Sequence, residues 1–257
     1  MPQQAGLTDL LKQLAPSNTN AAQQASAKEL PYVLLRRAAA RAGLNVGYEV
    51  RRYPQHVSIA TEYYSRLDAF GARLPPHRHT RKPHTSLSLL SPYRLFLSTQ
   101  TGTLGAYTNG ANEASSEVTP YVPSLMSVRP TAKTMQQVQD DALDLKPSEQ
   151  PKTMRWPMAV PAMREAAPPK PAGRLDGAAR LELMPARTVA VLAFSDPTTE
   201  PNVRGYHALL ESLLREDGLT PVAPEEEEQF RLAQFDALNS FGARRSEIWV
   251  DLEEHPW

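Results

Sequence analysis

The sequence predicts an α+β protein in which two similar halves, each a pair of strands followed by a helix, merge into one sheet or barrel with two packed helices. Three observations predict it. Residues 50–60 (VRRYPQHVSIA) resemble residues 181–193 (LELMPARTVAVLA): a strand, a proline at the turn (Pro54, Pro185), a basic residue two beyond it (His56, Arg187), then an alternating apolar strand. A helical pattern follows each. A second echo pairs residues 118–126 (VTPYVPSLM) with residues 156–163 (WPMAVPAM), both carrying a Val-Pro step followed by Met. Neither half is large enough to bury a core alone, so the two are expected to share one.

In chain order, Leu7, Leu10, Leu11 and Leu14 mark one face of a short docking helix that Pro16 ends. Residues 17–28 lack periodicity and read as a linker. Residues 32–35 (YVLL) begin the strands. Over residues 48–60, Tyr48, Val50 and Arg52 alternate, Tyr53-Pro54 turns the chain, and Val57 and Ile59 resume, which reads as a strand, a tight turn and an antiparallel return strand. Residues 71–90 then form an extended cationic loop with Arg73, Arg78, Arg81, Lys82, three histidines, three prolines and no acid. A histidine metal site, a polyanion contact, or a solvated insertion that meets an acidic protein are its readings. The lack of a carboxylate or third ligand nearby, and of interleaved aromatic residues, favours the last.

Residues 93–107 are ambiguous, because Leu97, Leu104 and Tyr107 share a helical face while Thr99, Thr101 and Gly102 weaken it. In residues 131–145, Met135, Val138, Ala142 and Leu145 recur at helical spacing until Pro147 stops them. The strongest helix follows Pro201, with an apolar stripe of Tyr206, Leu209, Leu210, Leu213 and Leu214 and a C-terminal cap at Gly218. Glu225 to Glu228 read as a solvated turn, residues 230–235 as a strand and residues 246–252 as a final strand with Trp249 on its other face. The Val-Pro steps Val122-Pro123 and Val160-Pro161 are expected at edges or bends, because proline cannot donate to a ladder.

Composition narrows the chemistry. The 257 residues hold 28 Lys+Arg against 28 Asp+Glu, 24 Pro and no Cys. Without cysteine there is no disulfide scaffold, no thiolate metal site, no cysteine nucleophile and no covalent haem attachment. A net charge of zero gives no global reason to bind nucleic acid or an anionic membrane. No run approaches the ~20 apolar residues of a membrane span, so a soluble protein is expected. The N-terminus lacks a secretory leader, and the expected location is the cytoplasm or a cytosol-facing assembly such as a cilium, with a plastid as the alternative. No GxSxG, P-loop, GxGxxG or HExxH pattern is present, and an enzyme is not expected.

Residues 48–54 (YEVRRYP), 107–112 (YTNGAN), the Val-Pro strands, 187–195 (RTVAVLAFS) and 244–250 (RRSEIWV) together resemble the SOUL haem-binding protein family in its plant and algal form, in the family's order over roughly residues 29–254. The resemblance implies a SOUL-like domain over 29–254, with insertions at about 66–91 and 129–152, an N-terminal helix and linker over 1–28 and a tail over 255–257. It also implies a distorted antiparallel β-barrel with two flanking helices and an internal pseudo-twofold repeat. In function it implies haem or another tetrapyrrole held without a covalent bond in a shallow hydrophobic cleft beside the first helix. The residues it nominates are Arg94, Leu97, Leu104 and Tyr107, with Met126 from the following strand.

No metal site other than haem iron is expected. His56 reads as exposed after its turn, His207 as a partly buried structural residue, and Met126 and Met163 as core fillers before ligands. Glu247 and Asp251 read as the solvent-facing side of the last strand. Two functions follow: a tetrapyrrole carrier or buffer, or a structural adaptor that uses residues 7–14, 71–90 and 131–145 to hold protein partners.

Overall fold

The structure, a computed structural model, describes residues 28–40, 46–63, 99–143, 152–225, 228–235 and 245–253. The expected helix at 7–14 and the cationic loop at 71–90 lie outside these residues, as do Arg94 and Leu97.

The described chain is α+β. Nine strands form one antiparallel sheet: β1 (Val33–Ala38), β2 (Tyr48–Tyr53), β3 (His56–Tyr63), β4 (Ser124–Val128), β5 (Lys152–Ala159), β6 (Arg180–Met184), β7 (Arg187–Phe194), β8 (Phe230–Gln234) and β9 (Ser246–Asp251). The helices are α1 (Thr99–Thr108), α2 (Met135–Leu143) and α3 (Glu200–Glu216). The ambiguous stretch before Tyr107 is therefore helical from Thr99.

Strand order is β1-β2-β7-β9-β8-β4-β5-β3-β6, so the sheet is open by hydrogen bonding, with β1 and β6 at its edges. The expected hairpins do not form. β2 pairs with β7 (Arg52 opposite Thr188) and β3 with β6 (His56 opposite Met184), so each proline-containing unit sends its two strands to different neighbours. The reason lies in the linkers. A two-residue hairpin needs positive φ at one or both central residues, and neither Pro54, Gln55, Pro185 nor Ala186 is among the described residues with positive φ. Each unit is a corner, not a reversal.

The corners bend the whole sheet. β2 and β3 stand second and eighth in the order, yet only Pro54 and Gln55 separate them; three residue steps reach at most ~11 Å. Pro185 and Ala186 make the same short link between β6 and β7. The two ends of the sheet must therefore approach each other, and it curls with its seam crossed twice by the backbone.

The Val-Pro steps lie at bends. Val122-Pro123 is a cis peptide just before β4, and Pro161 opens a 3-10 turn just after β5. Pro157 falls within β5 next to a register shift in its pairing with β3, where a missing N–H interrupts the ladder least.

Period-two alternation sorts the strands onto two faces. The helix-facing side carries the larger core, where Val50, Ile59, Met126, Met154, Leu192, Leu232, Ile248 and Val250 meet Leu104 and Tyr107 of α1 and Val203, Leu210, Leu213 and Leu214 of α3. Thr199 precedes α3 and Pro201 lies in its first turn, while Gly218 adopts φ +69 beyond its end, the left-handed conformation glycine tolerates. The opposite face holds a smaller core of Leu30, Tyr53, Tyr121, Leu125, Val160, Val189, Val191 and Trp249. Tyr53 stacks on Trp249 with ring centroids 4.3 Å apart.

Candidate functional site

α1 is the element nearest the expected cleft. Leu104 and Tyr107, three residues apart, turn the same way and are fully buried, and Met126 of β4 is buried in the same cluster. The Tyr107 hydroxyl donates to Pro169 O at 2.7 Å, and burial pushes its pKa up to about 12. Asn112, itself buried, fixes the turn after the helix by donating from Nδ2 to Tyr107 O (3.1 Å) and Ser116 O (2.8 Å). Three of the five nominated residues are thus brought together or adjacent, as packed core beneath the helix. The outer side of α1 is different. Gly102 and Gly105 share a face at helical spacing, and a Cβ placed on either would meet nothing within 4 Å. Two absent side chains leave a smooth, open strip.

Both described histidines are buried. His56 is buried, against the expected exposure, with Nδ1 3.0 Å from Pro54 O. His207 stacks on Phe230 at a centroid distance of 4.0 Å, with Nε2 3.5 Å from Glu211. Among the described residues no group of three His, Cys, Asp or Glu could hold a metal ion.

The other face of the curled sheet holds a second feature, a polar chamber of about 790 Å³. Its walls include Arg52, Arg155, Arg187, Arg231, Glu228 and Asp251. Arg187 pairs with Asp251 at 2.8 Å, Arg231 also bonds Asp251, and Arg231 Nε lies 3.2 Å from Glu228 Oε1. Arg155 reaches Glu182 (2.6 Å), Glu228 (3.2 Å) and Ser127 Oγ (2.5 Å). Burial raises the pKa of Glu228, but Arg231 and Arg155 outweigh it and hold the carboxyl below its ordinary value.

Toward the smaller core, Glu247 has no exposed surface and receives bonds from Arg51 (3.1 Å), Arg245 (2.7 Å) and Trp249 Nε1 (2.8 Å). Glu247, Asp251 and Glu228 are therefore not a solvent-facing side or a solvated turn. Sequence reasoning missed them because polar residues alternating with apolar ones look the same whether the polar face meets water or the inside of a curled sheet. The signal was present in the arginines at matching positions: Arg155 and Arg231 alternate with apolar neighbours just as Asp251 does.

The SOUL heme-binding protein family matches residues 27–251. A comparison with curated proteins finds no match. Among solved structures, the chain is similar to the EcmrR C-terminal domain (11% identity, 82% of this chain and 99% of that one, TM-score 0.47). It is also similar to an uncharacterized conserved protein from Listeria innocua (7% identity, 92% and 98%, TM-score 0.45) and to a hydrolase from the same organism (6% identity, 92% and 98%, TM-score 0.41).

Proposed function

The chain belongs to the SOUL heme-binding protein family, and from that membership we propose that it is a non-catalytic carrier or buffer that binds haem or a related tetrapyrrole weakly against α1. The family match over residues 27–251 carries the reading. Any haem is held without covalent attachment, because the chain has no cysteine.

The described residues fit a flat ligand lying on the helix and do not fit an iron ligated from beneath it. Leu104, Tyr107 and Met126 are packed core and form the support; Gly102 and Gly105 leave the outer strip on which a planar ring can rest. Arg94 and Leu97, just before α1 in sequence, are the proposed propionate partner and apolar wall. The chemistry a bound tetrapyrrole would supply is its own; this chain's part is to present an apolar surface and a cation.

Hemin titration followed at the Soret band tests the proposal, with a saturable shift at micromolar hemin as the expected result. Gly105→Leu places a side chain on the strip without touching the core, so it should abolish the shift while leaving the protein folded. A null titration with the wild-type chain overturns the carrier reading.

The adaptor reading is supported by one observation: α2 packs on α3 outside the sheet, and residues 131–137 are exposed, including Met135. Residues 7–14, 71–90 and 131–145 would then meet protein partners, in the cytosol or in a cytosol-facing assembly. The same family membership supports a barrel-like body with an internal twofold. Matching β2 to β6, β3 to β7, β4 to β8, β5 to β9 and α1 to α3 makes the order from β2 to β6 read the same in both directions.

A further inference from the structure

The polar chamber is built around a shortage of acceptors. Arg231 is 2% exposed, and its Nε–H, like that of Arg187, finds no hydrogen-bond partner; the nearby Glu228 oxygen is out of line with the Arg231 N–H. The two guanidiniums share Asp251 as their common carboxylate. Burial and the neighbouring Arg231 lower the pKa of Arg187, as two cations held together out of water require.

Unmade bonds to buried, charged donors are costly, and native proteins rarely leave them so. Here the two arginines that carry the orphaned N–H groups line open space. The chamber walls carry Arg52, Arg155, Arg187 and Arg231 against Glu225, Glu228 and Asp251, and Arg155 is paired with Glu182 as well. Its volume of about 790 Å³ lies within the range of small-molecule sites, roughly 300–1,000 Å³.

We propose that the chamber is a binding site for a small organic acid, whose single carboxylate accepts from the guanidinium N–H groups of Arg187 and Arg231 while the rest of the molecule lies between the Pro185–Ala186 corner and Val222. A monoanion brings one negative charge beside Glu228 and Asp251, whereas a phosphate dianion would bring two and meet the greater repulsion. Guanidinium groups present planar N–H donors suited to a carboxylate. The site is on the opposite face of the sheet from α1. Chain alternation places it there, because Ser127, Arg155, Arg231 and Asp251 are each flanked by residues of the helix-facing core. It is therefore independent of tetrapyrrole binding.

The test uses the full chain with benzoate as the monocarboxylate probe, benzamide as its neutral isostere, and inorganic phosphate, all at matched ionic strength. Arginine Nε–H resonances and thermal stability are the readouts. Benzoate is expected to move the Arg187 and Arg231 Nε–H signals saturably and to raise the melting temperature, while benzamide does neither. Arg187→Met should abolish both effects. Arg52→Glu, at the exposed rim, should weaken benzoate several-fold without changing the melting temperature of the free protein, which separates binding from folding. Absence of a saturable response to benzoate at tens of millimolar, an equal response to benzamide, or tighter binding of phosphate than benzoate would each overturn the proposal. Hemin titration is unaffected by any of these outcomes.

Discussion

Glu247 shows how a single residue can be misjudged from its neighbours in sequence. It sits at a polar position of an alternating strand, yet it is wholly buried between Arg51, Arg245 and Trp249. Removing one partner of such a pair strands the other, which costs about 3–5 kcal/mol, whereas replacing both by apolar residues is often neutral. Glu247→Leu is expected to lower the unfolding free energy by that order. Arg51→Met with Glu247→Leu should recover a large part of the loss, and urea denaturation of the two singles and the double measures the coupling. Additive losses would mean that the pair is not a unit. The two buried histidines give a second residue-scale prediction. Burial, with Arg187 and Arg231 close by, lowers His56 to about 4 despite its bond to Pro54 O; burial and Arg204 lower His207 to about 4. Both folded values lie below the ordinary 6.5, so between about pH 6.5 and 4 the unfolded chain binds more protons than the folded one. Stability should therefore fall as pH falls through that window, by at most ~1.4 kcal/mol per pH unit per histidine. Glu211, raised by burial, works against this slope, so the comparison is between the wild type and the variant His56→Gln, His207→Gln. The variant should show the shallower dependence in urea melts at pH 4.5 to 7.5.

At the scale of elements, the corners carry the main departure from expectation. Proline after a strand suggests a turn, and a turn between two alternating strands suggests a hairpin. What excludes the hairpin is the absence of residues able to take positive φ at Pro54-Gln55 and Pro185-Ala186. Replacing Pro54-Gln55 by Asn-Gly supplies the residues of a two-residue reversal, and would help a true hairpin. Here it should destabilise by about 1 kcal/mol or more, because it loosens the unfolded chain and favours a competing pairing. A rise in melting temperature would contradict the corner. α1 was ambiguous in sequence for an equally local reason: Gly102 and Gly105 weaken a helix, and the burial of Leu104 and Tyr107 outweighs them. α3 was legible throughout, since its proline and its capping glycine agree with its apolar stripe, although Val203 and His207 are more deeply buried than Tyr206 and Leu209.

For the whole molecule, pairing across the corners ties distant parts of the chain together. β2 is held by β7, more than a hundred residues later, and β4 by β8. Neither half owns a complete sheet. A fragment ending at residue 175 loses β7 and β8, one of the two partners of β2 and of β4, and should show no cooperative unfolding or dispersed amide spectrum, whereas residues 28–253 should show both. Folding is also expected to be slow for the chain's size, because the long loops must close before the sheet rewards them.

By itself the sequence determined the α+β class, the positions of β2, β3, β7, β9, α2 and α3, the family and the exclusion of cysteine chemistry, because periodicity, capping residues and motif order are properties of neighbouring residues. It also placed Leu104, Tyr107 and Met126 near one another through the order of the family's motifs. Only the tertiary structure decided that the two proline-containing units cross instead of folding back, that Leu104 and Tyr107 support α1 from below, and that Arg187, Arg231 and Asp251 meet within a chamber. The physical reason is the same in each case. Alternation says that a side chain is on one face of a strand, but which face is inside depends on how distant strands pair and how far the sheet curls.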